Sequence, residues 1–426
     1  MSALSKNFFL WPVLIAGSVL GIITFVFTYI IITGLLLVFF AIIVAVDIIV
    51  LLFCGLIRFI DMLIRRINGI WTVCYSCQKK IINAVYTCPT CGAVHKKLYP
   101  GKYGILRRRC SCGTVLSTTF GGRRKLPSKC PYCNADCQSD TAQISIPVLG
   151  GPSGGKTHII NSGLDEVRIF AEQNPEYLFS YWKDEDKRRH ELCMSVFHKR
   201  PMLDKTTVDK FDAYKFYFSK RKATFKNLVY IYDIAGEAVV DERRLGGNEA
   251  MKYCKSFLFV LDPLSLPDFA MQFKKENGKQ DDYAPCGSYI DDVLSTVLNT
   301  LNNALGISDT KLKDANVAVV ITKSDIPKVQ EELGDTKVSD CIRQNKGIGY
   351  NEAVNILCEG FLQKYNAGNF RDFVKMKFKQ CQFFVANTWN SEKKMYEPHN
   401  TADPFLWLID MESPKINLKS RWNRKI

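Results

Sequence analysis

The sequence predicts an α/β protein, with a mostly parallel sheet flanked by helices that follows a two-helix membrane hairpin and a zinc-ribbon module. Three observations predict this. Residues 7–46 carry no charge. Nine of the 16 cysteines fall between Cys74 and Cys137, mostly in close pairs. Beyond them, short apolar runs ending in Gly, Asp or Thr turns alternate with stretches of helical spacing, the pattern of successive βα units. The boundaries follow as 1–66, 67–140 and 141–426, and the last segment is long enough to bury a core of its own.

The apolar run continues past Asp47 to residue 57. Such a run exceeds one span of about 20 residues and suits two, at 8–30 and 35–57, joined by a tight turn at Thr33-Gly34. A signal peptide has a far shorter apolar core, of about 7–15 residues. Arg58, Arg65, Arg66, Lys79 and Lys80 follow directly and favour the cytoplasmic side, so a two-pass hairpin in the cell membrane returns Lys6 to that side. The soluble parts then face the cytoplasm. A carboxylate within a span costs about 2.5–3.5 kcal/mol, so Asp47 is expected to be protonated, paired with a polar group or set at a helix–helix contact. Gly17-x-x-x-Gly21 permits close helix packing, and an oligomer through the transmembrane helices is the expected consequence.

The formal net charge is +15, but residues 58–129 hold fifteen Lys/Arg against a single acid, Asp61. Nearly all the excess therefore lies in one segment next to the membrane region. Anionic lipid of the cytoplasmic leaflet is the expected partner, at roughly 1 kcal/mol per basic residue. Nucleic acid, met through Arg107, Arg108, Arg109, Arg123, Arg124 and Lys125, is the less favoured one.

Cys74-x-x-Cys77 and Cys88-x-x-Cys91 are separated by ten residues and are expected to fold back into one four-thiolate site. Cys110-x-Cys112 and Cys130-x-x-Cys133 form the second, with Cys137 as a substitute ligand and His95 a weaker one. Four thiolates make a closed structural zinc site with no position for water. Residues 78–129 are poor in apolar side chains, and two zinc ions at about 10–16 kcal/mol each would supply what a core does not. The other cysteines stand singly, which fits a reducing compartment rather than a disulfide framework.

Residues 144–149 read as a buried strand and residues 158–171 as a helix. Between them lies Gly150-Gly151-Pro152-Ser153-Gly154-Gly155-Lys156-Thr157, the pattern of a phosphate-binding Walker A loop. Gly150, Ser153, Gly154 and Gly155 would let backbone N–H groups converge on phosphates at a helix N-terminus. Lys156 would neutralise the β- and γ-phosphates, and the Thr157 hydroxyl would hold Mg²⁺. Residues 228–232 are a second strand ending at Asp233-Ile234-Ala235-Gly236-Glu237. Asp233 would hold Mg²⁺ through water, and the Gly236 N–H would meet the γ-phosphate. The loop 237–248 would then be ordered by GTP and released by GDP.

Residues 317–321 are a third strand, followed by Thr322-Lys323-Ser324-Asp325. Guanine offers two adjacent donors that one carboxylate accepts, whereas adenine offers an acceptor there. Asp325 is thus the specificity residue, with the Lys323 stem packing over the base. Residues 382–385 read as the last strand, after which Ala386-Asn387 would supply a backbone N–H to the guanine oxygen. Residues 211–218 alternate like an edge strand, and one of Thr206 and Thr207 before it is the expected cap on Mg²⁺ and the γ-phosphate. Residues 164–205 form a long charged insertion, helical around 183–199. Arg243 and Arg244 read as a solvated pair, or less favourably as internal arginine fingers.

These motifs resemble the translation-factor and Ras-like class of P-loop GTPases over residues 143–407. Zinc ribbons feeding into the glycine loop are similar to the bacterial double-GTPase type of conflict and stress systems. The resemblance implies a P-loop NTPase fold and a GTP/GDP switch dependent on Mg²⁺, with an effector or activator protein. The site residues it implies are Gly150, Ser153, Gly154, Gly155, Lys156, Thr157, Asp233, Gly236, Thr322, Lys323 and Asp325. Glu237 departs from the class, where a water-orienting Gln is common, so slow or partner-assisted hydrolysis is expected. The alternatives are a non-hydrolysing GTP-binding scaffold that recruits partners through its zinc ribbons, and a membrane-tethered nucleic-acid binder.

Overall fold

The computed structural model describes residues 10–422 except 75, 78, 82, 138–140, 152, 199–212, 235–252, 278–288, 300, 302–306 and 392. The chain folds into two compact units, one of Met1–Ile67 with Val85–Ser128 and the other of Asn68–Ala84 with Lys129–Ile426. The cysteine segment contributes to both.

In the first unit a single helix, α1, runs from Leu10 to Ile67 over 58 residues. The turn expected at Thr33-Gly34 is absent, and one continuous helix replaces the two spans. The physical reason is local. Past Pro12 in the first turn, no proline or polar cluster interrupts the run, and one glycine costs a helix only about 1 kcal/mol. At about 1.5 Å per residue the helix exceeds the ~30 Å hydrocarbon thickness severalfold, and it is long and apolar enough to cross a membrane. Its hydroxyls turn back onto its own backbone. Thr24 donates to Leu20 O (3.0 Å) and Thr28 to Thr24 O (2.6 Å), so neither is bare in an apolar setting.

The remainder of this unit is built on short hairpins, Val85–Thr87 with Val94–His95 and Arg107–Arg109 with Val115–Ser117. Lys102 pairs with Asp47, Arg58 Nε donates to Pro100 O (2.8 Å), and Phe120 N donates to Asp61 Oδ2 (3.0 Å). Pairing with a polar group is therefore the outcome for Asp47. Arg123 takes the place of an apolar core residue. It is 2 % exposed, donates to Leu98 O and Thr118 O (both 2.9 Å) and lies over the rings of Tyr86 and Tyr99.

The second unit is organised by a seven-stranded mixed sheet. Its strands are β1 (Ala142–Gly150), β2 (Tyr177–Tyr181), β3 (Ala213–Lys220), β4 (Asn227–Asp233), β5 (Ser256–Leu261), β6 (Asn316–Ile321) and β7 (Gln380–Val385). Their spatial order is β2-β3-β4-β1-β5-β6-β7. β1, β4, β5, β6 and β7 are parallel, while β3 and β2 are added antiparallel at one side. The chain leaves β1 toward one edge and crosses after β4 to β5 on the other side. The carboxyl ends of β1 and β5 therefore open a crevice where the strand order reverses.

Alternation along the strands divides the core into two faces. Ile144, Ile146 and Val148 of β1 and Val229 and Ile231 of β4 pack with Ile159, Ile160 and Leu164 of α2 (Lys156–Gln173). On the other face Tyr230, Phe259, Val319 and Ile321 meet Phe269, Phe361 and Phe370. A later helix, α4 (Asp403–Glu412), closes the α2 face through Phe405 and Leu406. Gly163 of α2 makes room for it, because a Cβ there would lie 2.3 Å from the Phe405 ring.

One expectation changes. The strand read at 211–218 is described as Ala213–Lys220, and it is internal rather than an edge. The edge is β2, which lies within the charged insertion and is followed by α3 (Asp184–Phe197). Cross-strand aromatic contacts hold it in place, Tyr177 with Phe218 at 5.8 Å and Phe179 with Phe216 at 5.2 Å.

Candidate functional site

The sequence at the end of β1 can pass only as glycine. Gly150 has φ +148°, and a Cβ on it would meet Val260 O of β5 at 2.4 Å. Ser153 (φ 58°) and Gly155 (φ 86°) are left-handed, and Gly155 caps the N-terminus of α2. The first N–H groups of a helix lack intrahelical partners, so this turn offers donors and a positive dipole end to an anion. Lys156 is buried, and its Nζ donates to Gly151 O (2.7 Å) and Gly150 O (3.0 Å).

Thr157 Oγ1 donates to Asp233 Oδ2 at 2.8 Å, so the hydroxyl and the carboxylate read as Mg²⁺ ligands meet. Burial pushes the Asp233 carboxyl up, while the Thr157 hydrogen bond and the charges of Lys156 and Arg189 pull it back. The oxygen donors present are those a hard cation prefers.

The end of β6 reaches the same loop. Thr322 Oγ1 contacts Gly154 O (3.3 Å) and Leu261 O (3.2 Å). Lys323, at φ 54°, pairs through Nζ with Asp262 Oδ2 at 2.6 Å. Asp262 was not singled out by the motifs, yet it is 2 % exposed, and it also accepts from Leu264 N (2.9 Å). Burial raises its carboxyl, and Lys323 opposes the shift. Asp325 Oδ2 accepts from Ser391 Oγ (2.5 Å) and Ser391 N (3.2 Å). Ser391 sits between the hairpin strands β8 (Asn387–Asn390) and β9 (Met395–His399). No short motif marks Ser391, because its partner lies 66 residues away.

One assignment is corrected. The Ala386 N–H donates to Ile321 O (3.0 Å), and the residue is fully buried, so this donor belongs to the sheet rather than to a base. Parallel pairing of β6 with β7 uses up the N–H that the motif would have offered. Thr206, Thr207, Gly236, Glu237, Arg243 and Arg244 lie outside the described residues.

Among the described residues the cysteines form two four-sulfur clusters, each with its ligand atoms within 4.8 Å of one another. The sequence pairing is overturned. Cys74 and Cys77 join Cys130 and Cys133, whereas Cys88 and Cys91 join Cys110 and Cys112. The reason is that 85–128 closes on itself. Thr87 N donates to Pro127 O at 2.9 Å, so the chain returns to its starting point and delivers the last knuckle to the first. Turn bonds shape the knuckles, such as Cys88 N to Ala93 O (2.9 Å) and Cys130 N to Ala135 O (2.8 Å). Backbone donors from Cys91 hold the Cys88 thiol down to about 6, and those from Ala135 hold Cys133 at about 7. Neighbouring thiols and burial push Cys91 and Cys74 up in turn, so each cluster holds both easily and reluctantly deprotonated thiols. The four-sulfur sets fit structural zinc, and neither His95 nor Cys137 belongs to them.

A scan against protein-family models and a search of curated proteins give no match to this chain.

Proposed function

We propose that the chain is a membrane-anchored GTP-binding protein acting as a GTP/GDP switch, hydrolysing GTP slowly or with a partner's help. The contact between Thr157 and Asp233 at 2.8 Å, beside a turn that requires glycine at position 150, carries this reading. A hydroxyl and a buried carboxylate that converge next to an anion-favouring helix end suit a magnesium-bound polyphosphate. The base is read by Asp325, whose carboxylate Ser391 holds in place, with the Lys323 stem fixed by Asp262. Mg²⁺ would supply charge neutralisation to the phosphates when bound. Lys156 would exchange its loop carbonyls for phosphate oxygens. P-loop NTPase membership is part of the same proposal, as are two structural zinc ions.

The apolar helix serves as the anchor, and its basic flank keeps the folded parts on the cytoplasmic side. Arg107, Arg108 and Arg109 are all exposed, as are Tyr103 and Leu106, so this surface suits anionic lipid. An effector or activator protein, and contact between copies through the helix, complete the proposal. Glu237 favours the second reading, a non-hydrolysing scaffold. The test measures GDP against ADP affinity for the full chain in detergent with zinc and Mg²⁺. Strong GDP preference is the expected result, and equal or absent binding of both refutes the reading. GTP recovered intact after long incubation would select the scaffold.

A further inference from the structure

Arg189 belongs to the charged insertion, and no motif points to it. Its guanidinium carbon stands 4.3 Å from the ring centroid of Tyr214. Tyr214 lies on β3 opposite Ile231 of β4, so the two side chains share the α2 face. Asp233 comes two residues after Ile231, and strand alternation turns it to that same face, beside Tyr214. The Tyr214 hydroxyl also lies 3.9 Å from Cys193 Sγ, one helical turn beyond Arg189.

The helix carrying Arg189 is fixed rather than loosely appended. His190 is 2 % exposed, its Nε2 donates to Asn161 O (3.0 Å), and its Nδ1 accepts from the Tyr181 hydroxyl (2.8 Å). Asn161 Nδ2 in turn donates to Thr157 O at 2.8 Å. Four residues along α3 from Cys193, the Phe197 ring stacks on His158 at 4.8 Å, next to Thr157 itself. α3 is therefore tied at two levels to the first turns of α2. Its Arg189 faces the end of β4 where Thr157 and Asp233 meet.

We propose that Arg189 is a catalytic residue supplied in cis, which contacts the γ-phosphate oxygens of bound GTP during hydrolysis. The inference rests on the GTP reading above. In the reaction a water oxygen forms a bond to the γ-phosphorus, and the bond from that phosphorus to the β–γ bridging oxygen breaks. The electron pair leaves on the GDP oxygen, and the protons of the water pass to phosphate and solvent. Negative charge grows on the bridging and γ-oxygens, where a planar guanidinium places two donors at once. Tyr214 supports the flat face of the guanidinium and keeps its fork ordered.

The experiment uses the full chain in detergent with Mg²⁺ and compares wild type, Arg189→Ala and Arg189→Lys. Three quantities are measured: GDP affinity, affinity for GDP with aluminium fluoride, and single-turnover GTP hydrolysis. Wild type is expected to capture the fluoride complex with no added protein. Both variants are expected to keep GDP affinity within about twofold while the hydrolysis rate and fluoride-complex affinity fall by about 10³-fold or more. Arg189→Lys retains the stem and charge over Tyr214, so it reports on the fork even where the alanine variant is unstable. Unchanged hydrolysis and fluoride binding in both variants would overturn the assignment. Equal loss of GDP and fluoride-complex affinity would also overturn it, because Arg189 would then only brace Asp233. A wild-type chain that binds GDP but no fluoride complex overturns the arginine alone. One that binds no GDP overturns the nucleotide reading, and the arginine assignment falls with it.

Discussion

Glu412 ends α4 with its Oε1 buried. Burial pushes its carboxyl up to about 7 from an ordinary 4.5, while the Ser256 hydroxyl and the Lys255 charge pull the other way. The folded state therefore holds this proton more tightly than the unfolded chain does. The stability it contributes is complete below about 4.5 and is lost as pH rises through about 7. At about 1.36 kcal/mol per pH unit, the gap between the two values corresponds to roughly 3 kcal/mol. Glu412→Gln keeps the shape and removes the charge. The variant should match wild type near pH 4.5 and exceed it by about 2–3 kcal/mol at pH 8. Urea unfolding of both proteins across this range, followed by tryptophan fluorescence, measures the difference. Titration of the cysteines and other acids is common to both and cancels. A difference that stays constant with pH would refute the reasoning, and one that reverses sign would show the carboxylate to be stabilised in the fold.

Other outcomes test the site and the clusters. Asp325→Ala should remove about 100-fold or more of the preference for GDP over ADP, since charge-assisted hydrogen bonds contribute about 1.5–3 kcal/mol each; unchanged selectivity in competition binding would sink the base-reading role. Lys156→Ala should lose GDP affinity while the unfolding curve stays near wild type, and retained binding would count against phosphate contact. Cys130→Ser should expose Cys74, Cys77 and Cys133 to alkylation while Cys110 and Cys112 stay protected. Mass-spectrometric mapping that finds Cys110 and Cys112 reactive instead would restore the sequence pairing. Gly163→Ala should destabilise the sheet unit by about 1–3 kcal/mol despite better helix propensity, because Phe405 and the Thr401 carbonyl already fill the space. Equal urea midpoints would show that α4 can shift.

The segments of the candidate site were legible because each is local in sequence. A glycine loop, a strand-end aspartate and a Thr-Lys-Ser-Asp turn each lie within a few residues, and the apolar runs before them are the central strands. Asp262, Ser391 and Arg189 were not legible, since each meets a partner that lies far along the chain from it. Lys323 meets Asp262 across 61 positions, and Asp325 meets Ser391 across 66. Residues 199–212 and 235–252, which hold Thr206, Thr207, Gly236 and Glu237, lie outside the described part, so those roles rest on sequence alone.

By itself the sequence determined the class of each segment: apolar helix, thiolate knuckles and alternating β and α units around a glycine loop. Composition and periodicity suffice for that, because they report which surfaces must be buried and which backbone turns only glycine can make. Tertiary structure alone decided which knuckle meets which, that β2 and not β3 is the edge, and that Ala386 spends its N–H on β6. Each of these depends on where the chain returns in space. Loop closure costs grow only slowly with length, so several returns are nearly equal locally and the packing of the whole sheet selects among them.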